Sequence, residues 1–118
     1  MNVAEQCIFC DVSAGKLDSQ LLYQDEEVVA FPDIRPIAPT HVLVVPKRHY
    51  ATLADAAAAG DDRLLGRLLS VAATLAHQKL GEDAGFRVVI NNGAAAGQTV
   101  HHLHIHLLSG RHFAWPPG

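Results

Sequence analysis

The chain reads as an α+β domain built on an antiparallel sheet, and three observations predict it. Short β-branched or alternating apolar runs follow one another at residues 28–31, 40–45, 86–90 and 100–108. A single long stretch, residues 61–80, instead repeats leucine and alanine at helical spacing. Turn-forming Pro, Gly and Asn separate these segments. Strands that mostly succeed one another, with one long helix between, favour an antiparallel sheet over βαβ units.

Each element has a local cause. Residues 8–14 carry spaced apolar side chains and stop at Gly15, which predicts one or two turns of helix. Residues 21–23 and 28–31 flank the polar Gln24-Asp25-Glu26-Glu27, a hairpin pattern. Pro32, Pro36 and Pro39 bound a loop holding Asp33, Ile34 and Arg35. Residues 40–45 form a β-branched run stopped by Pro46, predicting a buried strand. Residues 54–59 are alanine-rich, yet short and followed by Gly60, so they read as a connection. Leu64, Leu65, Leu68, Leu69, Ala72, Leu75 and Ala76 mark the long helix, with acids at its start and Gly81 at its end. Residues 91–97 read as a flexible loop. The tail Trp115-Pro116-Pro117-Gly118 continues neither sheet nor helix.

The whole chain sets bounds on function. At 118 residues it holds one domain, 1–118, with room for a hydrophobic core. A formal net charge of -3 provides no basic field to recruit nucleic acid. No apolar run approaches the roughly 20 residues needed to span a bilayer, and residues 1–6 lack the marks of a secretory signal. The expected location is cytoplasmic. In a reducing compartment, Cys7 and Cys10 in C-x-x-C spacing suggest half a metal site or a redox pair. No βαβ context supports the redox reading, and zinc remains open.

The most informative segment is His102-Leu103-His104-Ile105-His106-Leu107-Leu108. A strand spanning residues 100–108 would turn the imidazoles to one face and Leu103, Ile105 and Leu107 to the other. Alternate residues on a strand lie about 6.6 Å apart, so three rings converge poorly on one ion. Such a row suits an extended anion. The central ring, His104, has a neighbour on each side and is the natural nucleophile for phosphoryl or nucleotidyl transfer. Gly97-Gln98-Thr99, just before the row, offers backbone donors, an amide and a hydroxyl to that anion.

This row resembles the His-φ-His-φ-His-φ-φ motif of the histidine triad (HIT) superfamily. Phe31-Pro32-Asp33-Ile34, Ala38-Pro39-Thr40-His41, Val45-Pro46-Lys47-Arg48-His49, Asn91-Asn92-Gly93, Gly97-Gln98-Thr99 and the W-P-P-G ending are similar to its Hint branch of purine nucleoside phosphoramidases. The resemblance implies the HIT fold: a five-stranded antiparallel sheet with one long and one short helix, joined into a ten-stranded sheet across a homodimer. The tail, residues 109–118, would complete the site near the dimer interface. The implied activity is hydrolysis of the P–N bond in adenosine 5′-phosphoramidate and AMP–amine conjugates, through AMP carried covalently on His104.

The likeness also assigns roles. A carbonyl would hold the second nitrogen of His104. His106 and Gln98 would grip phosphate oxygens, Thr99 would place a hydroxyl beside the bridging atom, and Asn91 and Gly97 would complete the phosphate contacts. Asp33 would accept the ribose hydroxyls, while Ile8, Phe9, Phe31, Ile34 and Leu43 enclose the purine. Trp115 would influence substrate choice. His41 would stand near the first triad histidine, His102. Pro32, Arg35 and His101 depart from the branch pattern, as does Thr99, where serine is usual. Relatives with a zinc ion hold it at the positions of Cys7, Cys10, His49 and His102; that ion would be structural, and catalysis would require no cofactor. The rival activities are hydrolysis of dinucleoside polyphosphates, as in the Fhit branch, and a nucleotide-binding interaction module.

Overall fold

The computed structural model describes residues 7–15, 20–81 and 83–118. Residues 1–6, read above for a signal segment, lie outside the described residues. The chain runs α1 (Ile8–Ser13), β1 (Tyr23–Gln24), β2 (Val28–Pro32), β3 (Thr40–Pro46), α2 (Leu53–Ala58), α3 (Asp62–Leu80), β4 (Phe86–Val89) and β5 (Ile105–Ser109). The five strands form one antiparallel sheet, the sheet type expected from the sequence, in the order β1-β2-β3-β5-β4.

Both faces of the central strands are covered, which is why β2 and β3 read as unbroken apolar runs. Val28, Ala30, Val42, Val44, Ile105 and Leu107 meet Leu64, Leu68, Val71, Ala72 and Leu75 of α3. The alternate residues Val29, Phe31, Leu43 and Val45 meet Cys7, Phe9 and Val12 at α1. The predicted strand period therefore assigns one residue set to each layer.

Two expectations need correction. The alanine-rich connection is a helix, α2, so there are two short helices where one was expected. Thr52 caps it, its hydroxyl accepting from the Asp55 N–H at 3.1 Å. That cap and the four alanines of the helix outweigh its short length. The loop at 91–97 also contains a single 3-10 turn, Ala94–Ala96, between Gly93 and Gly97, both at positive φ (90° and 97°).

The second correction bears on the site. The histidine segment is a strand only from Ile105; residues 100–104 do not join the sheet. The register pairs Val44 with Ile105 and stops there. The next residues of β3 run into Pro46, which has no N–H to give. Leu103 N–H instead donates to the Tyr50 carbonyl at 2.7 Å. The alternation survives this: Leu103, Ile105 and Leu107 all enter the α3 core, while His102 and His104 face Phe9 of α1.

Candidate active site and metal centre

The hydrogen bonds of the three imidazoles assign their tautomers. His104 Nδ1 lies 2.7 Å from the His102 carbonyl oxygen. A carbonyl only accepts, so Nδ1 carries the proton and Nε2 is left with its lone pair. The expected carbonyl anchor is thus present. His104 is buried at 7% exposure, set edge-on to Phe9, with ring centroids 5.1 Å apart.

His106 is oriented by a relay from β3. The Ile37 N–H donates to His41 Nδ1 at 3.1 Å, which puts the His41 proton on Nε2. That nitrogen donates to His106 Nδ1 at 2.8 Å, with Asp33 Oδ2 a further 3.3 Å contact. His106 therefore carries its own proton on Nε2. Burial, then the neighbouring His104 and His41 rings, pushes its pKa down to about 4. His41 is also shifted down, because burial outweighs the carboxylate of Asp33. Both rings are neutral at pH 7. Contrary to expectation, His41 sits against the third triad histidine and not the first. The register decides this: His41 pairs with Leu108 and Leu43 with His106, at the opposite end from His102.

A cleft of about 450 Å³ opens over His106, lined among others by Asp33, His41, Asn91 and Thr99. Four of the sequence-predicted site residues therefore meet His106 there. Gln98 does not extend into it. Its buried amide accepts from the Gly93 N–H at 2.8 Å and donates to the Ala51 and Val100 carbonyls at 2.7 and 3.0 Å. The N–H groups of Gly97 and Gln98 are likewise turned inward, to the Ala94 and Gly93 carbonyls. In this loop the glutamine is a brace, and Thr99 supplies the exposed polar group. Phe9, Phe31 and Leu43 lie together in the second core layer, whereas Ile8 and Ile34 are exposed, Ile34 at 92%. Trp115 is also exposed and does not line the cleft; Phe113 and Pro117 of the tail do. Val89 and Arg87 on β4 were missed, though Arg87-Val88-Val89 shows the period of two that turns both toward the cleft.

His102, the first triad residue, has a different task. Its Nε2–H donates to the Pro46 carbonyl at 2.8 Å, so Nδ1 bears a lone pair. That atom lies 3.2 Å from Cys7 Sγ, 3.4 Å from Cys10 Sγ and 3.1 Å from His49 Nδ1. Cys10 Sγ is 3.2 Å from His49 Nδ1, and the four atoms fall within 4.8 Å of one another. Tetrahedral bonds of about 2.3 Å to sulfur and 2.0–2.1 Å to nitrogen separate ligand atoms by about 3.3–3.8 Å. The donor set and its spacing fit zinc. Burial, followed by Cys7, pushes the Cys10 thiol up to about 12, so a cation is what would draw its sulfur into the thiolate form.

The HIT domain signature matches residues 14–113. The chain belongs to the HIT family. It is similar to the 14 kDa zinc-binding protein of Zea mays, at 46% identity over 94% of this chain and 87% of that one. Among solved structures it resembles a HIT family hydrolase from Legionella pneumophila, with a TM-score of 0.90 and 42% identity over 95% and 99% of the two chains. It also resembles a histidine triad nucleotide-binding protein from Candida albicans, with a TM-score of 0.76 and 34% identity over 95% and 84%. The HIT fold expected from the sequence is the fold of this chain. Among the described residues, no helix is long and apolar enough to cross a membrane.

Proposed function

We propose that this HIT protein hydrolyses the P–N bond of adenosine 5′-phosphoramidate and AMP–amine conjugates. The observation that carries the reading is the His104 Nδ1–His102 carbonyl bond, which leaves Nε2 unprotonated beside a neutral N–H donor on His106. A lone pair next to a preset donor suits attack on phosphorus with charge stabilised on a non-bridging oxygen.

In the first step the His104 Nε2–P bond forms and the P–N bond breaks. The amine departs with a proton that the Thr99 hydroxyl relays from water, the hydroxyl ending unchanged. In the second step water attacks phosphorus and gives up its proton to the solvent, which restores the one taken in the first step; the Nε2–P bond breaks and AMP leaves. His106 Nε2–H holds a phosphate oxygen in both steps, and His41 keeps that proton in place. Asn91 faces the same cleft as a phosphate contact. Asp33, at the cleft edge, is the acceptor for ribose hydroxyls, and the apolar group of Phe9, Phe31 and Leu43 with Ile8 and Ile34 is the purine side. Gly97 and Gln98 shape the loop. Trp115 bears on leaving-group choice.

Cys7, Cys10, His49 and His102 would hold a structural zinc ion that braces α1 against the triad and activates no water. The names of the zinc-binding, hydrolase and nucleotide-binding relatives support these readings. The protein would work in the cytoplasm, where both thiols, unpaired with each other here, stay reduced. It would do so as a homodimer joined through β4, which pairs on one side only.

The deciding experiment offers the protein an AMP–amine conjugate and a diadenosine polyphosphate, and traps the intermediate for mass spectrometry. Faster turnover of the conjugate, with AMP on His104, is expected. Preference for the polyphosphate overturns the choice of substrate, and turnover of neither leaves the binding-module reading.

A further inference from the structure

Three arginines, Arg35, Arg87 and Arg111, line the same cleft as His106. The first is a departure from the Hint pattern that the reaction above does not use. Elsewhere on the surface Arg48, Arg63 and Arg67 each lie within ion-pair distance of a carboxylate, from Asp61, Glu27 and Asp25 respectively. Among the described residues, the three cleft arginines have no such partner. The cleft's one carboxylate, Asp33, already accepts the backbone N–H of Arg35 at 2.8 Å and faces His41.

Two of the guanidinium groups are held in place by neutral groups. Arg87 donates to the Ala114 carbonyl at 2.9 Å, and Arg111 to the carbonyls of Ile37 and His112 at 3.1 and 3.0 Å. Both stack on the Phe113 ring, at 5.2 and 4.3 Å from its centroid. Carbonyls and a ring face orient these cations without cancelling their charge.

The sheet register says which part of a substrate they meet. Phe31 pairs with Leu43 and Leu43 with His106, so the apolar base side lies over β2 and β3. Across β5, Val89 pairs with His106 and Arg87 with Leu108. Arg87 thus stands on the β4 side, one alternate residue beyond His106, about 7 Å along the strand. The row runs from His104 through His106 toward Leu108. In-line displacement puts the departing group on the far side of phosphorus from the His104 lone pair.

We infer that the leaving amine carries an anion, a carboxylate or a phosphate, received by Arg35, Arg87 and Arg111. This rests on the hydrolase reading and specifies its substrate class. The test uses AMP joined through nitrogen to butylamine, to 4-aminobutanoate and to 3-aminopropyl phosphate. The kcat/KM of at least one anionic conjugate is expected to exceed that of the neutral one by about tenfold or more. The advantage shrinks with rising ionic strength, and the better anionic conjugate identifies the anion. Arg35→Gln and Arg111→Gln should each reduce the anionic-to-neutral ratio severalfold. Equal rates, a faster neutral conjugate, or a ratio untouched in both variants overturns the inference while leaving the hydrolase intact. If no conjugate is cleaved, the hydrolase reading fails. The wild-type dissociation constants of the same three conjugates then decide the anion site by the same ratio.

Discussion

His102 and His104 are joined through backbone and ring at once. The carbonyl of His102 fixes the His104 tautomer at 2.7 Å, and the ring of the same His102 is anchored to Pro46 at 2.8 Å and turned toward Cys7, Cys10 and His49. The candidate metal cluster and the proposed nucleophile thus meet at one residue. Phe9, between the two cysteines in sequence, touches both rings.

His104→Ala removes the lone pair that the proposed reaction uses for attack on phosphorus. Hydrolysis of an AMP–amine conjugate should fall on the order of 10³-fold or more, and no AMP–protein adduct should form. Single-turnover kinetics with intact-mass analysis checks both.

The proposed zinc site predicts one metal ion per chain by elemental analysis of protein purified without chelators. Cys10→Ala should abolish it and lower Tm by roughly 5 °C or more, since the ion binds only the folded ligand set. Because His102 keeps its Pro46 bond, activity should decline less than in His104→Ala. Absence of metal from the wild-type protein refutes the assignment.

His41→Ala should lower kcat/KM about 5- to 150-fold by releasing His106 Nδ1 from its donor and freeing the wrong tautomer. His41→Gln, which retains a donor, should recover part of the loss. Imidazole nitrogen shifts of His106 in the NMR spectrum report the tautomer independently of activity.

Stability should depend on acid. Burial holds His106 at about 4 in the folded chain, against 6.5 for an unperturbed ring. Well above pH 6.5 both states are neutral at this site and the native state keeps its full stability. As pH falls from 6.5 toward 4, the unfolded chain takes up more protons, so stability declines and then levels off. Urea denaturation at pH 7, 5.5 and 4.5 should show midpoints falling in that order, with a smaller fall in His106→Asn.

The proposed homodimer through β4 predicts a sedimentation mass twice the 12.7 kDa of the chain. Val88→Pro, which introduces a residue unfit for strand pairing, should shift that mass toward the monomer.

Whatever depends on residue spacing was legible along the chain. Alternation in Leu103, Ile105 and Leu107 specified the core face, leucine spacing specified α3, and Pro46 ended β3, because these follow from backbone periods within one segment. The triad could be read as a site for the same reason. What each ring does came from contacts between distant segments. Pro46 stops β5 from extending back through His104, Tyr50 captures Leu103, and the β3–β5 register delivers His41 to His106 instead of His102. Gln98 became a brace because its partners, Ala51 and Gly93, come from different parts of the chain. Long-range hydrogen bonds choose tautomers and partners, and no local pattern of residues encodes a bond whose two ends lie 50 or more residues apart, as those of His102 with Pro46 and His41 with His106 do.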